Sequence, residues 1–427
     1  VVVVGAGVLG SMHALMARRR GFDVVHLERD LAARGASVRN FGLVWVGARA
    51  GGAELQLALR ARSLWEKLAP TVPGALFRPV GSLTVATDEP ELALMHEAYG
   101  VNRAAEAGAG ADALGGADAL AGADALAGAD ALGGAGALAG AVAGTSAHGS
   151  GSTGGAEAGR QWQLLDGPAA RVANPELSEA VLGALWCGAD ALLEPRTTVA
   201  AICRHLASGD GEGYRSVWGR AVLELREGAV VDDHGEVHRG DWVFLCPGAG
   251  SSSWLARYVD RPRTRLVRLQ MLETERYPGD LATAVADGDS MRYYPAYDLP
   301  ARAGLAPQPP TAARAHAQVL VVQRSDGGLT IGDTHDYTEP FPFDLDETVY
   351  EHLLAKAGRL LRRPIPPVAR RWAGVYSQLT DRGEGLYWRE ELVPGVEVVS
   401  GPGGLGMTCA PAIADDSVSA LAARVGL

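Results

Sequence analysis

VVVVGAGVLG at residues 1–10 and DVVHLE at residues 23–28 decide how the rest of the chain is read. The opening run is β-branched with no polar alternation, as a parallel strand covered on both faces requires. Gly5, Gly7 and Gly10 follow at once in G-x-G-x-x-G spacing, and Val8 and Leu9 open a helix predicted to end near Arg20. Gly5 permits the tight turn, Gly7 lets the backbone approach a pyrophosphate, and Gly10 lets the helix lie against the strand. Three arginines, Arg18 to Arg20, complement the negative end of that helix before Gly21 terminates it. A second strand then delivers Glu28, where a carboxylate can take the ribose hydroxyls and repel a 2'-phosphate. Strand, glycine turn, helix, strand and acid in that order indicate a dinucleotide site. The motif by itself does not separate FAD from NAD.

Composition sets bounds on the partners. The 427 residues carry a formal net charge of -11, which excludes nucleic acid or an anionic membrane as the main partner because either needs a basic face. No apolar run reaches the roughly 20 residues of a membrane span. Cys187, Cys203, Cys246 and Cys409 are scattered without metal-ligand spacing, so no metal and no disulfide framework are expected, and reduced thiols in a cytoplasm are the simplest setting. Val1 already lies inside the first strand, so the natural chain is expected to begin a few residues earlier.

Three further segments carry a resemblance. Residues 29–42, RDLAARGASVRNFG, are polar and glycine-punctuated where an NAD enzyme would start another helix. AVLEL at 221–225 is followed by the strand WVFLCPGA at 242–249, and VVSGPGGLGMT at 398–408 reads as a last strand, a second glycine loop and a closing helix. Together with the first motif these resemble the FAD-dependent amino-acid and amine oxidase family that includes glycine oxidase, D-amino acid oxidase and monomeric sarcosine oxidase. The resemblance implies an α/β fold, with a Rossmann-type FAD-binding domain and an antiparallel-sheet α+β substrate domain. It implies cofactor contacts from Gly5, Gly7, Val8, Leu9, Gly10, Glu28, Arg29, Ser37, Arg39, Asn40 and Gly42. Val222, Pro247, Gly248, Gly401, Gly403, Gly404, Leu405, Gly406, Met407 and Thr408 complete that set. Backbone amides at the start of the closing helix would stabilise the negative charge that develops on a flavin as it takes a hydride. Sarcosine-type enzymes attach flavin through a cysteine near the last glycine loop. Here Cys409 falls within the predicted closing helix, so non-covalent FAD is expected.

The family also implies a discontinuous division of the chain. Residues 1–75, 160–252 and 372–427 are expected to form the FAD-binding domain, and residues 76–103 and 253–371 the substrate domain. Strands are predicted at 81–87, 266–274, 290–296, 319–324 and 329–332, the last two joined by the turn SDGG at 325–328. An amino-acid-like substrate needs a cation for its anionic end. Arg292, on the strand expected at 290–296, is the first choice and Arg39 the second, with a structural salt bridge as the alternative for either. His335 is placed to hydrogen-bond the substrate or tune its amine, and Tyr376, after a strand at 371–375, to close the pocket; a structural loop histidine and a core tyrosine are the alternatives. The implied reaction removes a hydride from the carbon beside an uncharged amine, with no obligatory Asp or Glu base, and passes the electrons to molecular oxygen or another acceptor. GASVRNFG at 35–42, LQML at 269–272 and GDTH at 332–335 resemble a bacterial subgroup associated with aminophosphonate breakdown, which implies an aminoethylphosphonate-like substrate. An NAD-dependent dehydrogenase and a flavin-binding protein without turnover stand as the alternatives. Oligomeric state is not readable.

One segment lies outside the resemblance. From Gly110 the chain repeats GADALG-type units with a period of six, then decays into a Gly/Ser/Ala stretch ending at Gly159. A leucine every sixth residue matches neither the helical nor the strand period, so residues 104–159 are expected to be a disordered insertion without catalytic role rather than a solenoid.

Overall fold

The computed structural model describes residues 1–114, 159–208, 213–251 and 254–427. Val2–Val4 lies inside a six-stranded sheet. From one edge to the other the strands are Trp388–Val393, Val396–Ser400, Val243–Leu245, Val2–Val4, Val24–Glu28 and Tyr214–Trp218. All neighbours are parallel except the first pair. The β-branched composition follows from what covers this sheet. On one face Val3, Phe244 and Val399 pack with the helices Val8–Arg19, Ala53–Leu68, Pro195–Ala207 and Gly406–Val425. On the other, Val2, Val4, Val243 and Val398 meet Val222, Leu225 and Val230 of a small sheet formed by Val222–Arg226, Ala229–Asp232 and Val237–Arg239. Both faces are dry, so polar alternation is absent.

A second sheet has eight strands in the order Val368–Leu379, Thr264–Arg276, Gly328–Gly332, Leu320–Gln323, Ala284–Ala286, Ser82–Ala86, Gly183–Cys187 and Trp162–Asp166. It is antiparallel apart from Ala284–Ala286 beside Ser82–Ala86, so the expected antiparallel sheet is in fact mixed. The hairpin through 325–328 forms as its turn residues require, with Gly327 at φ +91°. Three expectations need correction. Residues 290–296 do not form a strand: Asp287 Oδ1 accepts from Ser290 N at 3.1 Å and starts a 3₁₀ turn over Gly288–Arg292, and Pro295, which has no donor for a ladder, opens another over Pro295–Tyr297. The strand expected to end at 375 runs on through Tyr376 to Leu379 because its whole length pairs with Thr264–Arg276. Finally, Trp162–Asp166, Gly183–Cys187 and Val368–Leu379 belong to the eight-stranded sheet, although 160–252 and 372–427 were grouped with the cofactor half.

The expected insertion at 104–159 begins inside the helix Glu89–Leu114, whose alanine-rich composition favours helix. The remainder of the repeat, 115–158, lies outside the described residues. Among the described residues no helix is long and apolar enough to cross a membrane.

Candidate active site

The first glycine loop is a place where side chains do not fit. At Gly5, with φ +97°, a Cβ would stand 2.3 Å from Cys246 O, and at Gly10 it would stand 1.9 Å from Gly5 O. At Gly7 it would meet Ser37 Oγ at 3.0 Å, and that hydroxyl accepts from Val8 N at 2.9 Å. Leu9 continues the helix, which has no side-chain cap and no acidic residue in its first turn. Glu28 ends the second strand with its carboxylate held by two amides, Ala6 N at 2.7 Å and Asp30 N at 3.0 Å. Asn40 shapes the lining loop: its Nδ2 donates to Ala36 O and Ser37 O, and its Oδ1 accepts from Gly42 N at 2.7 Å. Arg29 is exposed and reaches toward Gly250, while Val222 is buried at the start of its strand. The open turn Pro247-Gly248 follows the strand Val243–Leu245.

The second loop comes from the other end of the chain and meets the same surface. Gly401, at φ +68°, donates from its N to Ser377 Oγ at 3.2 Å, and Gly403 lies against the Gln378 side chain. Leu405 is buried, and Gly406 begins the closing helix with no side-chain cap and no acid in its first turn. Met407 O and Thr408 O accept from Trp65 Nε1, and Thr408 Oγ1 accepts from Trp45 N at 3.0 Å. The strand Val368–Leu379 joins the two regions: Arg39 Nη1 donates to Ala373 O at 2.8 Å further up the strand that carries Gln378. Among the described residues, an added Cβ at Gly248 or Gly404 would meet no atom within 4 Å. Two helix N-termini without an acid in their first turns, one of them closed by Ser37 on Val8 N, a carboxylate at a strand end and glycine turns are the groups a flavin dinucleotide needs.

Trp45 belongs to an aromatic cluster with Tyr294 and Tyr376, termed the chamber. Its ring is 4.3 Å from the Tyr294 ring, and the Tyr294 hydroxyl accepts from Gln318 Nε2 at 2.8 Å. The same Nε2 donates to Asp333 Oδ1 at 2.8 Å. Asp333 is buried, and no ion-pair partner is found for it among the described residues. Burial, and next the Asp333 carboxylate, push the Tyr376 hydroxyl well above the ordinary tyrosine range; Tyr337 and Tyr294 act in the same sense and Arg265 opposes. Arg265 lies over the Tyr337 ring at 4.3 Å, and its Nε and Nη2 donate to Gln378 Oε1 at 3.2 and 3.0 Å. No carboxylate pairs with it among the described residues. A guanidinium held in place by a neutral amide beside the second glycine loop keeps its charge available to an anion.

The four substrate candidates divide. Arg292 leaves the set: its Nε pairs with Asp289 at 2.8 Å and its Nη2 donates to Ala306 O, so its fork is spent on a salt bridge once the strand is replaced by a turn. Arg39 contacts Ala373 O and offers its own carbonyl to Trp372 Nε1, which puts it with the cofactor loop rather than the chamber. His335 stacks on Tyr337 at 6.4 Å and on Tyr293 at 5.7 Å, at the chamber's edge. Tyr376 lies inside it. Arg265, Asp333, Trp45 and Tyr294 were not found from sequence, and only the strand pairing that sets Arg265 opposite Gln378 could have shown Arg265. A separate cleft of about 890 Å³ between residues 53–60, 379–389 and Asp416 is lined by paired side chains such as Arg60 with Asp416 and contains none of these residues. Asp232, Glu236 and His238 also bring potential metal-ligand atoms within 4.8 Å of one another, but Arg220 already pairs with Asp232 at 3.0 Å.

Fold and donor set together point to a flavin-dependent oxidoreductase built around a six-stranded and an eight-stranded sheet. The family described as FAD dependent oxidoreductase matches residues 1–419, and the chain belongs to it. FAD is therefore the dinucleotide, and the NAD-dependent alternative falls away. Among solved structures the chain is similar to glycine oxidase from Bacillus cereus ATCC 14579, with 16% identity, TM-score 0.70 and coverage of 99% of this chain and 94% of that one. L-proline dehydrogenase from P. horikoshii has 16% identity, TM-score 0.67 and coverage of 99% and 93%. L-alpha-glycerophosphate oxidase from Mycoplasma pneumoniae, with FAD bound, has 14% identity, TM-score 0.66 and coverage of 98% and 94%. At these identities the likeness is one of fold. No curated protein matches the chain.

Proposed function

We propose that the protein oxidises the carbon–nitrogen bond of a small amine or amino-acid-like molecule to an imine, which water then hydrolyses. The carrying observation is a side-chain cluster: the rings of Trp45 and Tyr294, with Tyr376 packed beside them, stand next to the buried Asp333 carboxylate, and the exposed Arg265 guanidinium, which pairs with no carboxylate among the described residues, lies over the Tyr337 ring. Such a set of groups complements a molecule with an anionic end and a basic nitrogen, since aromatic faces and a carboxylate favour the nitrogen and the guanidinium fork favours the anion. FAD, when bound, supplies the acceptor for the hydride that leaves the carbon beside nitrogen. The protein's part is to hold that carbon against the second glycine loop and exclude water. Arg265 would anchor the anion, Tyr376 would wall the chamber, and His335 would stand at its mouth.

Glycine oxidase and L-proline dehydrogenase, which share the fold, are named for amino acids, whereas the glycerophosphate oxidase is named for an alcohol. The buried Asp333 favours the amine, because an alcohol carries no charge to pair with it. A guanidinium takes phosphonate as readily as carboxylate, so an aminoethylphosphonate, N-methylated or not, belongs in the reading beside glycine, sarcosine and D-amino acids. FAD would be held without a covalent bond: Cys409 is buried in the closing helix, and burial pushes its thiol up to about 12, leaving no thiolate for attachment. In this reading residues 1–75, 188–252 and 380–427 serve the cofactor and the eight-stranded sheet serves the substrate. The four free thiols accord with a reducing compartment such as the cytoplasm.

The test is anaerobic bleaching of the bound flavin by that panel of amines, followed by peroxide release in air. Bleaching with peroxide marks an oxidase, and bleaching without it marks a dehydrogenase with another acceptor. A flavin that no amine bleaches returns the protein to a flavin-binding role without turnover.

A further inference from the structure

Asp333 is a buried acid of the chamber with no ion-pair partner among the described residues. Its Oδ1 accepts from Gln318 Nε2, whose other partner is the Tyr294 hydroxyl, and it makes no ion pair among the described residues. The groups that face it are His335 from its own loop, Tyr294 from the segment after the 3₁₀ turns, and Tyr376 from the strand Val368–Leu379. Arg49 over the Tyr294 ring and Arg265 over the Tyr337 ring are the next cations. A structural carboxylate in such a position would be expected to hold a cation or several backbone amides, as Glu28 and Asp190 do elsewhere in this chain.

Resting on the amine-oxidising reading above, we propose that Asp333 receives the proton that leaves the substrate's ammonium before the neighbouring C–H bond breaks. The ammonium N–H bond breaks and an O–H bond forms on the Asp333 carboxylate, giving a neutral amine with its lone pair and a neutral carboxylic acid; no electrons are exchanged in this step. The proton returns to solvent when the product leaves. The burial of Asp333 favours this transfer because low-polarity surroundings destabilise an ammonium–carboxylate pair more than the neutral pair. Burial raises the affinity of Asp333 for a proton, opposed by His335, by the Gln318 bond and by its own backbone amide, which narrows the gap between acid and amine.

Asp333→Asn tests this, since an amide oxygen can still accept from Gln318. In the holoenzyme the rate of anaerobic flavin reduction by an amine that bleaches the wild type is measured from pH 6 to pH 10. The expected result is a rate about 100-fold lower at pH 7, within the range a general base contributes, that recovers toward pH 10 as free amine becomes available. A carbon-13 carboxyl signal that is missing from the variant should titrate above the ordinary aspartate range in the wild type. A variant that keeps flavin, keeps the wild-type rate and keeps its pH profile overturns the inference alone. A wild type that no amine reduces overturns the amine reading and this inference with it.

Discussion

The first glycine loop and the aromatic chamber work in opposite ways. In the loop the proposed contacts are backbone amides, and Gly5, Gly7 and Gly10 contribute by lacking a Cβ. In the chamber the proposed contacts are side-chain tips drawn from Trp45, Arg265, Tyr294, Asp333 and Tyr376, which no short motif spans. A site made of backbone is written locally and tolerates little. A site made of side chains is assembled from afar and can be retuned one residue at a time.

The largest effect should break the loop. Gly10→Val would drive a side chain into Gly5 O, where even a Cβ stands at 1.9 Å, so the variant is expected to purify without flavin. Absorbance in the flavin band per protein, before and after incubation with FAD, measures this. The cofactor half should also be the acid-labile one. His13 and His26 are fully buried, and burial is the main reason their imidazoles titrate at about 4 instead of near 6.5. Both folded values lie below the unfolded one, so the stability they contribute is present above pH 6.5 and is lost as pH falls toward 4. The loss is on the order of 3 kcal/mol for each histidine. Thermal melts between pH 7 and pH 4 should show it, and either His13→Gln or His26→Gln should reduce the slope.

A smaller contrast separates two arginines. Arg265→Ala is expected to raise KM about 30-fold for a substrate with an anionic end while leaving flavin content unchanged, the scale of a lost charge-assisted bond. Arg292→Met should do the reverse, leaving KM alone and costing about 1 kcal/mol of stability through the lost Asp289 contact. Steady-state kinetics and melting curves on both variants distinguish the roles. If Arg292→Met raises KM and Arg265→Ala does not, the chamber has been assigned to the wrong guanidinium.

Most of the cofactor half was legible because its rules act over a few residues. Gly5 and Gly7 precede a helix whose first turn holds Gly10, Glu28 closes a strand, and the loop at 401–405 precedes another helix, so spacing and residue type were enough. The substrate half was not. SMRYYPA alternates in a way that suits a strand, and what overrode the pattern was a capping bond from Asp287 together with Pro295. Arg265 carries no distinguishing neighbour in sequence; its meaning comes from Gln378, which faces it across a strand pair 113 residues away.

The amino-acid sequence determined that this chain builds a glycine turn opening onto a helix near each end, because steric permission for the backbone is a property of individual glycines and their immediate neighbours. Tertiary structure alone decided which charges confront a substrate. Whether an arginine is spent or available depends on the groups that long-range packing sets beside it: Asp289 for Arg292, a neutral glutamine for Arg265.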